Sequence, residues 1–279
     1  MTGSAAMAGH PARVEDGAEL VMELFSGVAV ALVTVFGESG EVDAGSTGAL
    51  AADLVRRGMQ AVLACGTTGE ASSLSAAERV AVVRAVREAV PAEIPVLAGS
   101  GAAAVADAAE LTAAACAAGA DAVLAWPPPG SEDLAGYFKA VAAAADGRPV
   151  LAYHIPWISA PGVPVSELAQ LPVIGQKDSS GSPDRLLDEL AHYDGATYVG
   201  SSALLALAGP MGAAGAILAL ANIEPELSCL AFGGDAAAQR ELADAHLRVA
   251  GGGPAELKRV LAGTHGISAV SRVGWPRDR

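Results

Sequence analysis

The chain has 279 residues, of which 52% are apolar, 17% charged and 4% aromatic, and its 17 Lys+Arg against 31 Asp+Glu leave a formal net charge of −14. So long and so apolar a chain buries a large core, as one big α/β domain or two ordinary ones, which excludes a disordered tail. The acidic balance repels phosphate backbones and anionic lipid, which argues against nucleic acid and a polybasic membrane contact as partners. The first twenty residues carry Arg13, Glu15, Asp16 and Glu19 and no apolar signal-peptide core, and residues 1–25 read as a loosely ordered leader rather than a signal peptide. After them come eight short runs rich in Val, Ile, Leu and Ala: Val28–Val33, Ala61–Ala64, Ile94–Ala98, Ala122–Ala125, Val150–Tyr153, Val173–Gln176, Thr197–Val199 and Ala216–Ala219. Continuous apolar runs of this kind fit strands covered on both faces, as in a parallel sheet.

The segments between the runs have helical spacing. Ser75 stands three residues before Glu78, the spacing of a capping box, and Val80, Val83 and Val86 follow on one face. Ala102–Ala118 reads as an alanine-rich helix ended by Gly119, and Ser131–Ala145 and Ser182–Leu190 each open with a capping residue and acidic first-turn residues. The alternation predicts an α/β fold, a (β/α)8 TIM barrel over residues 26–224. The rival, a doubly wound open sheet, usually carries a glycine fingerprint after its first strand, and Val30–Phe36 has none. Gly195–Ile223 has no charged residue and is long enough to span a bilayer, but its five glycines and Pro210 fit strand, short helix and strand better. From residue 225 to 279 no further strand is legible. Asp235–Val249 and Pro254–Leu261 read as helices of a short C-terminal helical appendix, hinged at Gly251–Gly253. Cys65, Cys116 and Cys229 form no CxxC pair, which argues against a disulfide scaffold or a cysteine-built zinc site, and the cytoplasm is the default location.

In a barrel of this type the reactive groups sit at the C-terminal ends of the strands. Lys139 and Lys258 lie within helical runs and read as solvated surface charges, whereas Lys177 closes the run Val173–Gln176. A neutral lysine amine at a barrel mouth is the nucleophile that forms a Schiff base with a carbonyl, and the plainer alternative is a lysine snorkelling out of its strand end. Tyr153 ends the preceding run, so its phenol would stand near that amine and pass protons; alternatively it is a core tyrosine bonded to backbone. Gly66–Thr67–Thr68–Gly69–Glu70 follows the second run, and a glycine-rich turn with two hydroxyls can bind a carboxylate through main-chain donors. Gly99–Ser100–Gly101 is an anion cradle or simply a tight turn, Cys65 reads as a buried inert thiol, and His154 should point away from Tyr153 along its strand. The five histidines show no metal-ligand spacing, so no metal is implied.

Together Gly27–Phe36 (GVAVALVTVF), Gly66–Glu70 (GTTGE), Tyr153–Pro156 (YHIP), Gly175–Gly181 (GQKDSSG) and Gly212–Pro225 (GAAGAILALANIEP) resemble the dihydrodipicolinate synthase / N-acetylneuraminate lyase family, from about Ser26 to Pro276. The resemblance implies class I aldolase chemistry, in which pyruvate is bound or released as a lysine Schiff base without metal or organic cofactor. It implies Lys177 as the Schiff-base residue, Tyr153 as the proton relay, Thr67 and Thr68 as holders of the pyruvyl carboxylate with Thr67 also beside the tyrosine hydroxyl, and Ile217 as a main-chain lining of the pyruvate site. It further implies a homo-oligomer, a homotetramer or homodimer.

Three departures bear on the substrate. Where the synthases of the family supply an interface tyrosine, this chain reads Trp126–Pro127–Pro128–Pro129–Gly130; where they place an arginine after the YxxP proline, it has Ile158. Where the sialic-acid lyases place carboxylates, it reads Gly200–Ser201–Ser202–Ala203. Trp126, Trp157, Ile158 and Ala203 are then expected to make a rather apolar outer pocket, with Ser159, Ser179 and Ser202 as its polar points. The expectation is a pyruvate-dependent lyase or aldolase that cleaves or forms a 2-oxo acid from pyruvate and an aldehyde. The alternatives are synthase-type condensation or dehydration on the same Schiff base, and a barrel that binds a 2-oxo acid without turnover.

Overall fold

The computed structural model describes residues 23–274. Eight parallel strands close into a barrel in chain order: β1 (Gly27–Ala31), β2 (Ala61–Ala64), β3 (Val96–Gly99), β4 (Ala122–Ala125), β5 (Val150–His154), β6 (Gly175–Asp178), β7 (Ala196–Val199) and β8 (Gly215–Leu218). The closing seam pairs Gly27 with Gly215 through to Val30 with Leu218. The helices among the described residues are α1 (Ala44–Arg56), α2 (Ala76–Ala89), α3 (Val105–Ala117), α4 (Leu134–Ala144), α5 (Val165–Leu168), α6 (Pro183–His192), α7 (Leu205–Ala208), α8 (Pro225–Phe232), α9 (Ala236–Glu241) and α10 (Ala243–His265). The molecule is a TIM barrel, and its last helices lie beyond the final strand.

The two-residue period of the strands sorts the core into two layers. Ala29, Ala31, Leu63, Leu97, Leu124, Leu151, Tyr198 and Ile217 fill the barrel interior. Val28, Val30, Val62, Val96, Val123, Val150 and Val199 face outward against the helices. Both faces are dry, so the strands read as unbroken apolar runs. At the N-terminal end Phe25 stacks on Tyr198 with ring centroids 4.6 Å apart, and the Tyr198 hydroxyl accepts from Leu24 N and donates to Phe25 O. That plug closes one mouth and leaves the C-terminal mouth for chemistry. The expected leader, residues 1–25, lies outside the described residues except for its last three.

Several boundaries differ from expectation for identifiable reasons. β6 begins two residues later than its apolar run and takes in Lys177 and Asp178, because their register with Tyr153 and His154 continues the ladder past the last apolar side chain. The Ser75 capping box is present, Ser75 Oγ accepting from Glu78 N while Glu78 Oε2 accepts from Ser75 N. α4 is capped by Asp133, not Ser131, the Asp133 carboxylate accepting from Gly136 N at 2.7 Å. Gly119 follows α3 with φ +103°, a left-handed conformation open to glycine at no steric cost. The glycine hinge is a kink inside α10, where Gly253 has φ 55° and ψ −143° and precedes Pro254, which has no N–H to give a helix. The charge-free stretch 195–223 holds β7, α7 and β8. No helix among the described residues is long and apolar enough to cross a membrane.

Candidate active site

β5 and β6 are neighbours, and their register sets Tyr153 beside Lys177 and His154 beside Asp178. Alternation sends the first pair into the barrel mouth and the second outward to the helices. Lys177 Nζ lies 4.6 Å from the centroid of the Tyr153 ring, and both side chains are almost fully buried. The Tyr153 hydroxyl accepts a hydrogen bond from Ser179 Oγ at 3.2 Å. Opposite, Gly200 makes room: a Cβ there would collide with Ser179 Oγ and press on the Lys177 stem. His154 points the other way, as expected; its Nδ1 accepts from Val163 N at 3.1 Å, and burial holds its pKa down at about 4, so the imidazole is neutral.

Behind Lys177, Asp178, Arg185 and Glu189 form a buried charge cluster between β6 and α6. Arg185 Nε is 2.7 Å from Glu189 Oε1 and 3.6 Å from Asp178 Oδ1. The first contact is close but poorly aligned, for neither atom of it completes a hydrogen bond. Burial, with the Asp178 charge adding to it, pushes the Glu189 carboxyl up to about 8. Asp178 also accepts from Ser180 N and Ser180 Oγ, both at 2.8 Å, which shapes the turn that presents Ser179.

The Gly66–Glu70 turn after β2 is bracketed by two non-glycine residues with left-handed backbones, Cys65 (φ 52°) and Glu70 (φ 55°). Such conformations cost energy and persist where surrounding contacts hold them. Gly69 O accepts from Thr34 Oγ1 at 2.7 Å, and the Glu70 carboxylate turns back to Lys258 Nζ at 2.5 Å and to Ser271 Oγ, Arg272 N and Val273 N. Lys258 is therefore no surface charge: its side chain is 0% exposed, with the Phe36 ring 4.0 Å from its ammonium. The Cys65 thiol is buried and pushed up to about 12, which makes it inert. Gly99 and Gly101 mark close packing, since a Cβ on Gly99 would collide with Cys65 O and one on Gly101 with Trp126.

Thr67, Thr68, Tyr153, Lys177, Ser179 and Ser202 all line one cavity of about 370 Å³ at the C-terminal mouth. Ile217 is wholly buried in the barrel interior, and the β8 end reaches this cavity through Leu218, Ala219 and Leu220. The expected outer pocket is divided. Trp157 lines the larger cavity, while Trp126 and Ile158 line a second one of about 130 Å³ that meets it at Thr67 and Tyr153. Ser159 turns away, its hydroxyl donating to Pro127 O, and Ala203 is exposed and lines neither cavity. One residue of the larger cavity has no signal in the sequence: His246 of α10, whose Nδ1 is 2.8 Å from Ser202 Oγ. Among the described residues no three His, Cys, Asp or Glu side chains are grouped to hold a metal ion.

Residues 24–249 match the model of the dihydrodipicolinate synthetase family. Among curated relatives, the 4-hydroxy-tetrahydrodipicolinate synthase of Parasynechococcus marenigrum is 39% identical over 58% of this chain and 56% of its own. That of Dechloromonas aromatica is 34% identical over 78% of this chain and 80% of its own. The chain thus spans little more than half of the first relative and four fifths of the second. Among solved structures, the chloride-inhibited dihydrodipicolinate synthase of Acinetobacter baumannii, complexed with pyruvate, superposes with a TM-score of 0.81 at 28% identity, covering 89% of this chain and 92% of that one.

Proposed function

The chain belongs to the dihydrodipicolinate synthetase family, and from that premise we propose that it is a pyruvate-dependent Schiff-base lyase or aldolase, joining or separating pyruvate and an aldehyde through Lys177. The observation that carries this reading is Lys177 Nζ set over the Tyr153 ring at 4.6 Å in a cavity shared with Thr67 and Thr68. The pyruvate held by the related synthase of Acinetobacter baumannii supports the choice of 2-oxo acid.

As the free amine, Lys177 Nζ adds to C2 of the 2-oxo acid; the adduct nitrogen gives up one proton, the oxygen takes two in all, and loss of water leaves an iminium. Tyr153, poised by Ser179, carries those protons. Thr67 and Thr68 hold the carboxylate on the turn after β2. In cleavage the C4 hydroxyl loses its proton, the C3–C4 bond breaks, and its electron pair passes into the iminium as an enamine while the aldehyde leaves. Protonation at C3 and addition of water then return pyruvate and the free amine. Condensation runs the same steps backward. The names of the curated relatives favour a second reading, synthase-type condensation with cyclisation, for which an Ile158 in place of the synthase arginine is the opposing observation. Consumption of pyruvate with aspartate semialdehyde separates the two. The same reading includes a homo-oligomer.

Borohydride trapping with pyruvate, followed by intact mass and peptide mapping, tests the proposal. One reduced pyruvyl adduct on Lys177, absent from Lys177→Ala, is the expected result. An adduct confined to Lys139 or Lys258, or none on folded protein, overturns it.

A further inference from the structure

Residues 155–164 join β5 to α5 and build part of both cavities. Ile155 and Trp157 line the larger one, Ile158 the smaller. The middle of this loop is tied to the segment after β4: Ser159 Oγ donates to Pro127 O, and Ala160 O accepts from Gly130 N at 2.7 Å. Its return limb is tied to the outer face of the barrel. Val163 is wholly buried; its N–H donates to His154 Nδ1 at 3.1 Å, and its carbonyl accepts from Arg185 Nη2 at 2.8 Å. Gly162, with φ 87°, lets the imidazole come this close, since a Cβ there would collide with His154 Nδ1. The two ties depend on each other. An imidazole accepts at Nδ1 only while that nitrogen carries no proton. Burial first, and then the Arg185 charge, keep the ring neutral against the pull of Asp178. Arg185 therefore bonds Val163 O itself and keeps His154 able to bond Val163 N. Its own guanidinium is steadied by Gln176 Oε1, which accepts from Nη2 at 3.1 Å, and by the carboxylates of Glu189 and Asp178. Neither His154 nor Arg185 lines either cavity.

We propose that His154 and Arg185 are positioning residues for the second reactant: by clamping Val163 they fix the 155–163 loop, and with it the Trp157 and Ile158 walls against which the aldehyde is seated beside Lys177. The inference rests on the Schiff-base reading above and deepens it. Pyruvate depends on the clamp far less than the aldehyde does. Lys177 and Tyr153 stand on β6 and β5, and Thr67 and Thr68 on the turn after β2, so every group assigned to pyruvate lies outside the loop. Trp157 and Ile158 belong to the loop itself and move with it. A misplacement of about 1 Å in a group that seats a reactant costs up to about 10²-fold in rate. A rival route runs through the backbone: His154 O accepts from Ser179 N at 2.9 Å, and Ser179 Oγ bonds the Tyr153 hydroxyl. That route would slow the activation of pyruvate itself, which makes the two separable.

The test compares two activities in the same proteins. Exchange of the pyruvate methyl hydrogens with deuterated solvent reports iminium and enamine formation and needs no aldehyde. Condensation of pyruvate with acetaldehyde, glyceraldehyde, benzaldehyde or aspartate semialdehyde, whichever the wild type uses fastest, reports the second reactant. His154→Leu deletes the acceptor for Val163 N, and should raise KM for the aldehyde about tenfold while methyl exchange stays within about twofold of wild type. His154→Asn puts an amide oxygen in reach of Val163 N and should restore most of the loss. Gly162→Ala displaces the same limb without altering β5, β6 or α6, and should give the same split; where His154→Leu does not fold, it decides alone. Equal losses in exchange and condensation, no change in aldehyde KM, or no rescue by His154→Asn overturns the inference. So does protein that traps pyruvate but condenses it with none of the four aldehydes. Failure of wild-type protein to trap pyruvate removes the Schiff-base reading itself, and the positioning role with it.

Discussion

Tyr153 carries two separable properties, a ring facing Lys177 Nζ and a hydroxyl bonded to Ser179. Phenylalanine keeps the first and deletes the second. Tyr153→Phe is therefore expected to lower kcat for 2-oxo acid cleavage by about 10²- to 10⁴-fold, the range of a lost general acid–base group, while pyruvate can still be trapped slowly on Lys177. Ser179→Ala leaves the hydroxyl in place but unpaired, and should cost about tenfold, as one neutral hydrogen bond does. Steady-state release of pyruvate from both variants measures the order; a Tyr153→Phe enzyme as fast as Ser179→Ala would remove the tyrosine from the proton path. The pairing was legible in the sequence because consecutive barrel strands are neighbours and residues ending two such strands must meet. His246 was not legible, since its partner Ser202 is 44 residues away and no local pattern marks a histidine that lines a cavity.

At the scale of elements, β6 and α6 enclose a charge cluster whose response to pH has a definite sign. Glu189 holds its proton up to about 8 in the folded chain against an ordinary 4.5, so between those values the folded state binds a proton the unfolded state has lost, and stability falls as pH rises. His154 acts oppositely: its folded pKa of about 4 lies below the ordinary 6.5, so its contribution is present above 6.5 and is lost as pH falls toward 4. The two oppose one another below pH 6.5, and from there to about 8 Glu189 acts without His154. Unfolding free energy is expected to drop by about 2 kcal/mol over that interval, at about 1.4 kcal/mol per pH unit for one group. Urea denaturation at both ends of the interval measures it, and Glu189→Gln should flatten the difference. A wild-type slope that survives in Glu189→Gln would place its source elsewhere. The Ser182 cap of α6 and the alternation of β6 could be read from the chain; the cluster could not, because a carboxylate on a helix normally marks its wet face, and here Arg185 draws Glu189 inward.

Across the whole molecule, the segment after α10 is fastened to the turn that presents Thr67 and Thr68. Lys258 and Ser271–Val273 converge on one carboxylate, Glu70, and Arg272 adds bonds to Gly40 O, Ser73 O and Glu78. The barrel is thus completed by residues that follow its last strand by some distance, and that is why the sequence alone marks Lys258 as solvated: nothing local to its helix points to a partner 188 residues earlier. A buried ion pair broken on one side leaves a bare charge and typically costs about 3–5 kcal/mol, whereas neutralising both sides costs much less. Lys258→Met should therefore lower the urea midpoint sharply and weaken half-saturation in pyruvate trapping, because Thr67 and Thr68 ride on the same turn. The double variant Glu70→Gln/Lys258→Met should regain much of the lost stability, since glutamine still accepts from Ser271, Arg272 N and Val273 N without a charge to desolvate. Non-additivity of about 2 kcal/mol or more between the two substitutions is the signature of direct coupling. Strictly additive losses would mean that Glu70 and Lys258 hold the C-terminal segment independently, and that the turn keeps its left-handed backbone by other contacts.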